Sequence, residues 1–174
     1  MASIGHVAVG LCLGRCLLPS ASSLKNWLGM GILAALALLP DADVIAFALR
    51  IPYSAPWGHR GASHSLLLGI LAGLLFGMIL GQFWQSRLRT TLAATLAVVS
   101  HGLLDTLTDG GLGVALLWPY LRKRFFAPVR PIPVAPIGFG LLSDHGLHVI
   151  WTETLYFLPL LIVALWPRSK RVAA

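Results

Sequence analysis

Long apolar stretches separated by short polar segments dominate the chain, and they predict five helices that cross a membrane. The first covers roughly Ile4–Leu18. The second starts near Trp27 and continues through "GILAALALLPDADVIAFAL", where Pro40 predicts a break or kink. The remaining three are Ser65–Phe83, Thr90–Leu107 and His148–Trp166. Ser65–Phe83 has nineteen residues without a charge, close to the ~20 residues that a crossing helix needs.

Glycine recurs at every fourth position of the third predicted helix, at Gly69, Gly73, Gly77 and Gly81. Residues at this spacing share one face of a helix. A face without side chains lets another helix approach closely. The pattern therefore predicts packing and carries no chemistry.

The segment Thr108–Leu147 breaks the apolar pattern. Four prolines, Pro128, Pro131, Pro133 and Pro136, exclude a crossing helix there. Its aromatic residues and the basic run Arg122–Arg124 suit the lipid headgroup layer, with general anchoring favoured over specific headgroup binding. We therefore expect an all-α, polytopic membrane helix bundle formed by one domain, residues 1–174, with a long Pro-rich interfacial loop over about 108–147.

Composition supports a membrane protein. The chain is 57% hydrophobic and only 11% charged, against about 25% charged residues in soluble domains. The start "MASIGHVAVG" lacks the basic region of a cleaved signal, so the apolar segments are expected to remain. We therefore expect a membrane protein with several crossings.

The net charge of +7 does not indicate nucleic-acid binding, because the basic residues lie in connecting segments such as "RLR" and at the C-terminus, "RSKR". Membrane lipids are the expected partners, and the oligomeric state is left open. The two sides of the five-helix topology carry nearly equal positive charge. Short loops without acids are expected to face the cytoplasm. The opposite side, which carries most of the acids and histidines, is therefore expected to face the periplasm.

Ionisable side chains collect on that polar side when the chain is followed through five crossings. The chain has only six acids and six histidines. Ionisable groups at membrane depth cost about 2.5–3.5 kcal/mol and are functional candidates. The polar side receives His6, Asp41, Asp43, His59, Arg60, His64, His101, Asp105, Asp144, His145 and His148.

The motif "SHGLLD" places His101 and Asp105 on one helix face, where both can reach one ion. Zinc accepts both ligand types, and a catalytic zinc keeps one position open. Each motif alone has a simpler explanation: a hydrogen-bonded core pair here, helix-dipole carboxylates in "LLPDAD", and a polar loop with Ser63 as a helix cap in "HRGASH". Their joint occurrence favours a site for one or two divalent ions, which can lower the pKa of a bound water to about 7.

These stretches in this order resemble the YdjM-like family of bacterial inner-membrane proteins. The matching motifs are His6, "LLPDAD", "GHRGASHS", "SHGLLDTLT" and "LLWPYLRKRFFAP". The resemblance implies a multi-pass, metal-dependent hydrolase of the bacterial inner (cytoplasmic) membrane, distantly like zinc phospholipases. It also implies a shared site formed by His6, Asp41, Asp43, His59, Arg60, His64, His101 and Asp105.

The leading hypothesis is a hydrolase of an anionic lipid or lipid-linked phosphoester with zinc as the favoured ion. Its expected metal ligands are His6, Asp41, His64, His101 and Asp105. Asp43 is a second-ion ligand or general base, His59 a proton donor or ligand, and Arg60 an anion clamp. Glu153 is a further ligand or a buried partner of Arg60. Asp144 is expected to cap the last helix, with His145 and His148 near the rim.

Two other classes of protein remain open. A transporter of metal ions or protons uses the same side chains but needs polar groups across the whole membrane. A structural membrane protein stapled by a metal ion would have every coordination position closed.

Overall fold

The computed structural model describes residues 3–18, 23–84 and 86–167. These residues form helices and irregular segments and no β-sheet, which confirms the predicted all-α class. The α-helices are α1 Ile4–Leu17, α2 Ser23–Leu38, α3 Ile45–Ala48, α4 Leu66–Leu80, α5 Arg87–Asp105 and α6 Asp144–Leu165. Short 3₁₀ helices occupy Leu39–Val44, Ala62–His64 and Gly138–Leu142.

The predicted break at Pro40 is present. Helix α2 ends at Leu38, and Leu39–Val44 continues as a 3₁₀ helix before α3. Proline has no N–H to donate to the preceding turn, so the regular α-helical pattern cannot pass through it. The 3₁₀ helix contains Asp41 and Asp43, so both carboxylates lie just after the end of α2.

Small residues let the helices pack at close range. A Cβ atom on Gly73 would lie 2.3 Å from Thr95 Cα, so the glycine face of α4 contacts α5 as predicted. Helices α1 and α2 approach in the same way, since a Cβ on Gly10 would lie 2.4 Å from Ala34 Cα. Helix α5 packs against α1, α2 and α4 and thus forms the centre of the bundle.

Within residues 3–18, 23–84 and 86–167, two helices, and not about five, are long and apolar enough to cross a membrane: Leu24–Ala48, which joins α2 to α3, and Asp144–Leu165. Helices α1 and α4 have 14 and 15 residues, so they are about 21–23 Å long against about 30 Å of hydrocarbon. The apolar run Ser65–Phe83 overestimated the length of α4, because residues 81–83 of the run form a turn after the helix ends at Leu80. Five crossings would require the two termini to lie on opposite sides of the membrane. Two crossings do not require this. The basic residues Arg168, Lys170 and Arg171 lie outside the described residues.

Two predicted caps are corrected. Ser65, and not Ser63, caps α4, because its Oγ accepts the N–H of Leu68 at 3.2 Å. Helix α6 starts four residues before the predicted His148, and Ser143 is its cap, with Oγ accepting the N–H of Gly146 at 3.2 Å. Asp144 is instead the first helical residue, where a carboxylate still suits the helix dipole.

The Pro-rich segment is irregular, as predicted. Over 106–143 it contains two isolated bridges, Thr108 with Ile132 and Val114 with Phe125, and the 3₁₀ helix Gly138–Leu142. The Asp109 carboxylate accepts the N–H of Val134 at 2.8 Å and closes the segment on itself. The segment thus folds against the end of the bundle where α5 stops and α6 starts.

Candidate metal centre

Four separate stretches bring the predicted site residues to one end of the bundle. His6 comes from the first turn of α1, and Asp41 and Asp43 come from the 3₁₀ turn after α2. The loop before α4 supplies His59, Arg60 and His64, and the last turns of α5 supply His101 and Asp105. The predicted convergence is therefore present in the structure.

One group of side chains has the geometry of a metal site. Asp41, His64, His101 and Asp105 each offer a ligand atom, and these atoms lie within 4.8 Å of one another. His64 Nε2 is 3.0 Å from His101 Nε2 and 3.5 Å from both Asp41 Oδ1 and Asp105 Oδ2. His101 Nε2 is 3.3 Å from Asp41 Oδ1 and 4.0 Å from Asp105 Oδ2. A tetrahedral zinc ion bound at about 2.0–2.1 Å needs ligand atoms about 3.3–3.4 Å apart, so the four atoms fit one ion.

The backbone orients His101. Its Nδ1 lies 2.7 Å from the carbonyl oxygen of Ala37, which is near the end of α2, where the α-helical pattern stops. Because a carbonyl can only accept, Nδ1 carries the hydrogen and the Nε2 lone pair is directed into the site. Metal-binding histidines are commonly oriented in this way.

Asp43 accepts hydrogen bonds from the loop before α4. Its Oδ1 lies 2.6 Å from His59 Nδ1, and its Oδ2 accepts the Ser63 hydroxyl at 2.5 Å and the Arg60 N–H at 3.1 Å. Oδ2 is also 3.1 Å from His64 Nδ1, which leaves His64 Nε2 for a metal. With four donors around it, Asp43 has the surroundings of a carboxylate that orients a metal-binding histidine.

A second possible group consists of Asp41, Asp43, His59 and His64. It shares Asp41 and His64 with the first group, and it depends on oxygen atoms of Asp43 that already accept hydrogen bonds. The geometry therefore favours one ion over two. Burial by itself lowers the pKa of His64, but hydrogen bonds to the three aspartates raise it to about 10. The centre of the cluster thus favours positive charge, whether a proton or a metal ion.

His6 lies beside this group. Its ring stacks on His101 with centroids 3.7 Å apart, and its Nε2 is 3.4 Å from Asp105 Oδ1. The side chain is fully buried, and neither ring nitrogen has a hydrogen-bond partner within the described part of the chain. His6 therefore lies close to the four candidate ligands, although it belongs to neither possible metal group.

Arg60 and Glu153 are both buried but have different positions. Arg60 Nε lies 2.9 Å from Asp105 Oδ2, and its Nη1 donates to Thr108 Oγ1 at 2.9 Å. These contacts place Arg60 against Asp105, and its predicted role as a clamp on an anionic substrate stays a prediction. Glu153 accepts the N–H of Gly5 at 3.2 Å and is in neither ligand group.

The histidines at the rim are outside the site. His145 and His148 are exposed near the start of α6, as predicted. His145 Nε2 lies 3.1 Å from the carbonyl oxygen of Val134 in the irregular segment. These two residues therefore offer matched histidine controls for experiments on the buried site.

Two residues that shape the site were not predicted. A Cβ on Gly102 would lie 2.2 Å from the His64 carbonyl oxygen, so only glycine lets the loop approach α5 here. Arg124 donates to the carbonyl oxygens of His59 at 3.0 Å and Tyr53 at 2.7 Å, and also contacts those of Ala55 and Gly113. Arg124 was expected to be a general interfacial anchor. Its exposed neighbours Arg122 and Lys123 fit that description better.

Comparison with known proteins identifies the family. Residues 1–172 match the family model described as "YdjM inner membrane protein". The chain is 40% identical to "Inner membrane protein YbcI" of Escherichia coli (strain K12) over 172 residues, which cover 96% of this chain and 98% of that protein. No solved structure matches the chain. The resemblance inferred from the ordered motifs is thus confirmed, and the chain belongs to the YdjM inner membrane protein family.

Proposed function

We propose that this protein is a membrane-embedded, metal-dependent hydrolase that acts on a lipid or a lipid-linked phosphoester. The observation that carries the proposal is the group Asp41, His64, His101 and Asp105, whose ligand atoms lie within 4.8 Å of one another. Membership of an inner membrane protein family supports a substrate that is itself in the membrane. The site lies where α2 gives way to the 3₁₀ turn and where α5 ends, close to one end of both candidate spans.

Three of the four side chains are suited to hold the ion. His64, His101 and Asp105 are almost fully buried, and each has a partner that fixes its orientation. Zinc is the favoured ion for nitrogen and oxygen ligands, and when bound it lowers the pKa of a water molecule to about 7. The Asp41 side chain is 25% exposed and can accept a proton from that water or act as a fourth ligand.

The other residues support these four. Asp43 and Ser63 orient His64, and Arg60 compensates the charge of Asp105. His59, hydrogen-bonded to Asp43 and 11% exposed at its side chain, is the group best placed to donate a proton to a leaving group. The site is proposed to face the periplasm, because the short loops without acidic residues favour the cytoplasm.

A transporter is less well supported. A conduction path needs polar groups through the whole membrane, whereas the ligand groups lie at one end of the bundle. The span Leu24–Ala48 is apolar between Met30 and Leu39. A metal-stapled structural protein differs from the hydrolase in one respect, since it leaves no coordination position for water or substrate.

The experiment that tests the proposal combines metal analysis with a lipid screen. We expect detergent-purified protein to contain about one zinc or similar ion per chain and to release product from a phospholipid or a polyprenyl phosphate. His101→Ala should lose both the ion and the activity, because it removes a ligand from a buried cluster. His145→Ala should keep both, since His145 is exposed outside the site.

Three outcomes distinguish the alternatives. Wild-type protein without bound metal would contradict the site itself. Metal-loaded protein that hydrolyses no lipid, and whose cobalt-substituted form shows no spectral change with azide, would indicate a closed structural site. Metal-dependent ion flux in proteoliposomes without hydrolysis would favour the transporter.

A further inference from the structure

The metal centre lies inside both candidate spans, some distance below their ends. Asp41 is followed by seven further residues of the span Leu24–Ala48, which cover about 12 Å at the rise of a 3₁₀ turn and an α-helix. On the other span, Glu153 lies nine residues after Asp144, or about 14 Å along α6, and it accepts the N–H of Gly5 in the first turn of α1. Both helices therefore place the site within the ~30 Å of hydrocarbon.

The protein closes the site toward the membrane surface. Hydrogen bonds from Arg124 and between backbones join the loop before α4 to the irregular segment. The other side of the loop rests on α5, where a Cβ on Gly102 would lie 2.2 Å from the His64 carbonyl oxygen. Beneath this layer, the side chains of His64, His101 and Asp105 are at most 1% exposed. These three candidate ligands therefore cannot be reached from the surface unless the loop moves.

Asp41 is the candidate ligand whose side chain remains open, with 25% of it exposed. Val44 and Ile45, three and four residues further, share its helix face and are exposed and apolar. Residues 30–49 contain no polar side chain except Asp41 and Asp43, and Asp43 accepts hydrogen bonds from the loop. Ionisable side chains at membrane depth typically face the interior of a bundle. The open side of Asp41 instead adjoins a surface that suits hydrocarbon.

We infer that the substrate reaches the ion sideways from the hydrocarbon layer, past Ile45 and next to Asp41. This inference rests on the proposed hydrolase function and narrows its substrate to a long-chain lipid that is already dissolved in the bilayer. The chains of such a lipid hold it in the membrane, so its ester groups are presented to the opening. A water-soluble phosphoester would have to leave water and pass about 12 Å of apolar protein surface to reach the same carboxylate.

Spin labels measure the surroundings of Asp41 without any assumption about hydrolysis. In a Cys12→Ser, Cys16→Ser background, one label is attached at Ala42→Cys, beside Asp41, and a control label at Asp144→Cys, exposed at the start of α6. In lipid bilayers we expect dissolved oxygen, which concentrates in hydrocarbon, to relax the Ala42 label more than a water-soluble nickel chelate does. The order should be reversed at Asp144. Stronger relaxation by the nickel chelate at Ala42 would overturn the inference.

A bulky group on the proposed path tests the route itself. In the same background, Ile45→Cys modified in detergent with a pyrene maleimide should hydrolyse a dioleoyl phospholipid about tenfold more slowly than the unmodified variant, because the group displaces the lipid from beside the ion. Leu75→Cys carries the same group on the exposed face of α4, at 53% exposure against 62% for Ile45, and should be unaffected. Equal activity of the two modified proteins would contradict the route, and so would faster turnover of a dihexanoyl analogue dissolved in water.

The two experiments separate this inference from the proposed function. If the unmodified protein hydrolyses no phospholipid, the proposed function fails, while the spin labels still decide whether the opening at Asp41 faces hydrocarbon. If hydrolysis occurs and the Ala42 label faces water, the function stands and the lateral route fails. Equal thermal unfolding midpoints for the labelled variants and the wild type would show that neither result reflects misfolding.

Discussion

Asp43 connects the loop before α4 to the 3₁₀ turn after α2. It links His59, Ser63, His64 and the Arg60 backbone N–H, so it fixes the whole loop before α4. Its neighbour Asp41, two residues away on the same 3₁₀ turn, is directed at the ligand atoms instead. The motif "LLPDAD" therefore contains one carboxylate beside the candidate ligand atoms and one that accepts hydrogen bonds from the loop.

Asp43→Asn tests this division. The substitution keeps the size of the side chain but removes its charge and replaces one acceptor by a donor. Loss of a carboxylate behind a metal-binding histidine typically lowers metal affinity about 10–100-fold, so we expect weakened but measurable binding in a chelator competition. Asp144→Asn removes an exposed acid near the same end of the bundle and should have no effect. Complete loss of metal in Asp43→Asn would show that Asp43 is itself a ligand.

The candidate ligands could be identified from the sequence because acids are rare in this chain. With only six acids in 174 residues, each one in an apolar context is informative. The roles of Gly102 and Arg124 could not be identified, since both act on backbone carbonyl groups of distant residues. No pattern of side chains along the chain records such contacts. The role expected for Asp43, a second-ion ligand or general base, stays a prediction. Its four hydrogen-bond donors could not be predicted, because they belong to a loop sixteen or more residues further along the chain.

Helix pairs in this bundle are held by contacts between backbones. Gly73 and Gly77 of α4 face Thr95 and Thr91 of α5, and a Cβ on either glycine would lie within 2.4 Å of the facing Cα atom. Such contacts replace the large side chains of a soluble core with many close van der Waals contacts. They fix the position of α5, which carries His101 and Asp105.

Gly73→Ala should destabilise the bundle. The added Cβ would meet Thr95 Cα at 2.3 Å, and overpacking of this kind typically costs about 1–3 kcal/mol. Gly31→Ala is the matched control, because a Cβ there meets nothing within 4 Å and alanine favours a helix by up to about 1 kcal/mol. Thermal unfolding in detergent should therefore show a lower midpoint for Gly73→Ala and an equal or higher one for Gly31→Ala. The reverse order would contradict the packing described for α4.

At the scale of whole elements the sequence predicted where helices lie better than which of them cross the membrane. The positions of α1, α4, α5 and α6 followed from apolar runs, and Pro40 predicted the break after α2. Apolar runs also include caps and turns, such as Ser65 before α4 and Gly81–Phe83 after it. Counting these residues as helix overestimates the length of α4. Helix α1 is short, with 14 residues, and α5 has 19 residues but includes arginines, a histidine and an aspartate, so neither is among the candidate spans.

In the molecule as a whole, the irregular segment holds the site loop against the helices. Arg124 contacts four carbonyl oxygens, three of them on the loop that carries His59. The backbone adds the N–H of Ala115 donating to Arg60 at 3.0 Å and that of Leu66 donating to Leu116 at 2.9 Å. The segment is therefore part of the site's scaffold as well as a candidate for contact with the headgroup layer.

Arg124→Ala should loosen the loop and leave the helices intact. Four carbonyl oxygens would lose a charged donor, and hydrogen bonds to charged groups are typically worth about 1.5–3 kcal/mol. Hydrogen exchange measured by mass spectrometry should become faster over residues 53–61 and remain unchanged in α4 and α5. Arg122→Ala, an exposed neighbour, should exchange like the wild type. Equal protection of the loop in both variants would mean that Arg124 does not hold it.

The four stretches that form the metal centre also set the order of events when the protein is made. The ribosome releases His6 and Asp41 early, but Asp105 follows about a hundred residues after His6, and no subset of the earlier side chains contains all four ligands. Protein synthesis proceeds from the N-terminus, so this group of four side chains is complete only after α5 has been made. Any ion that needs all four is therefore coordinated after the synthesis of that helix.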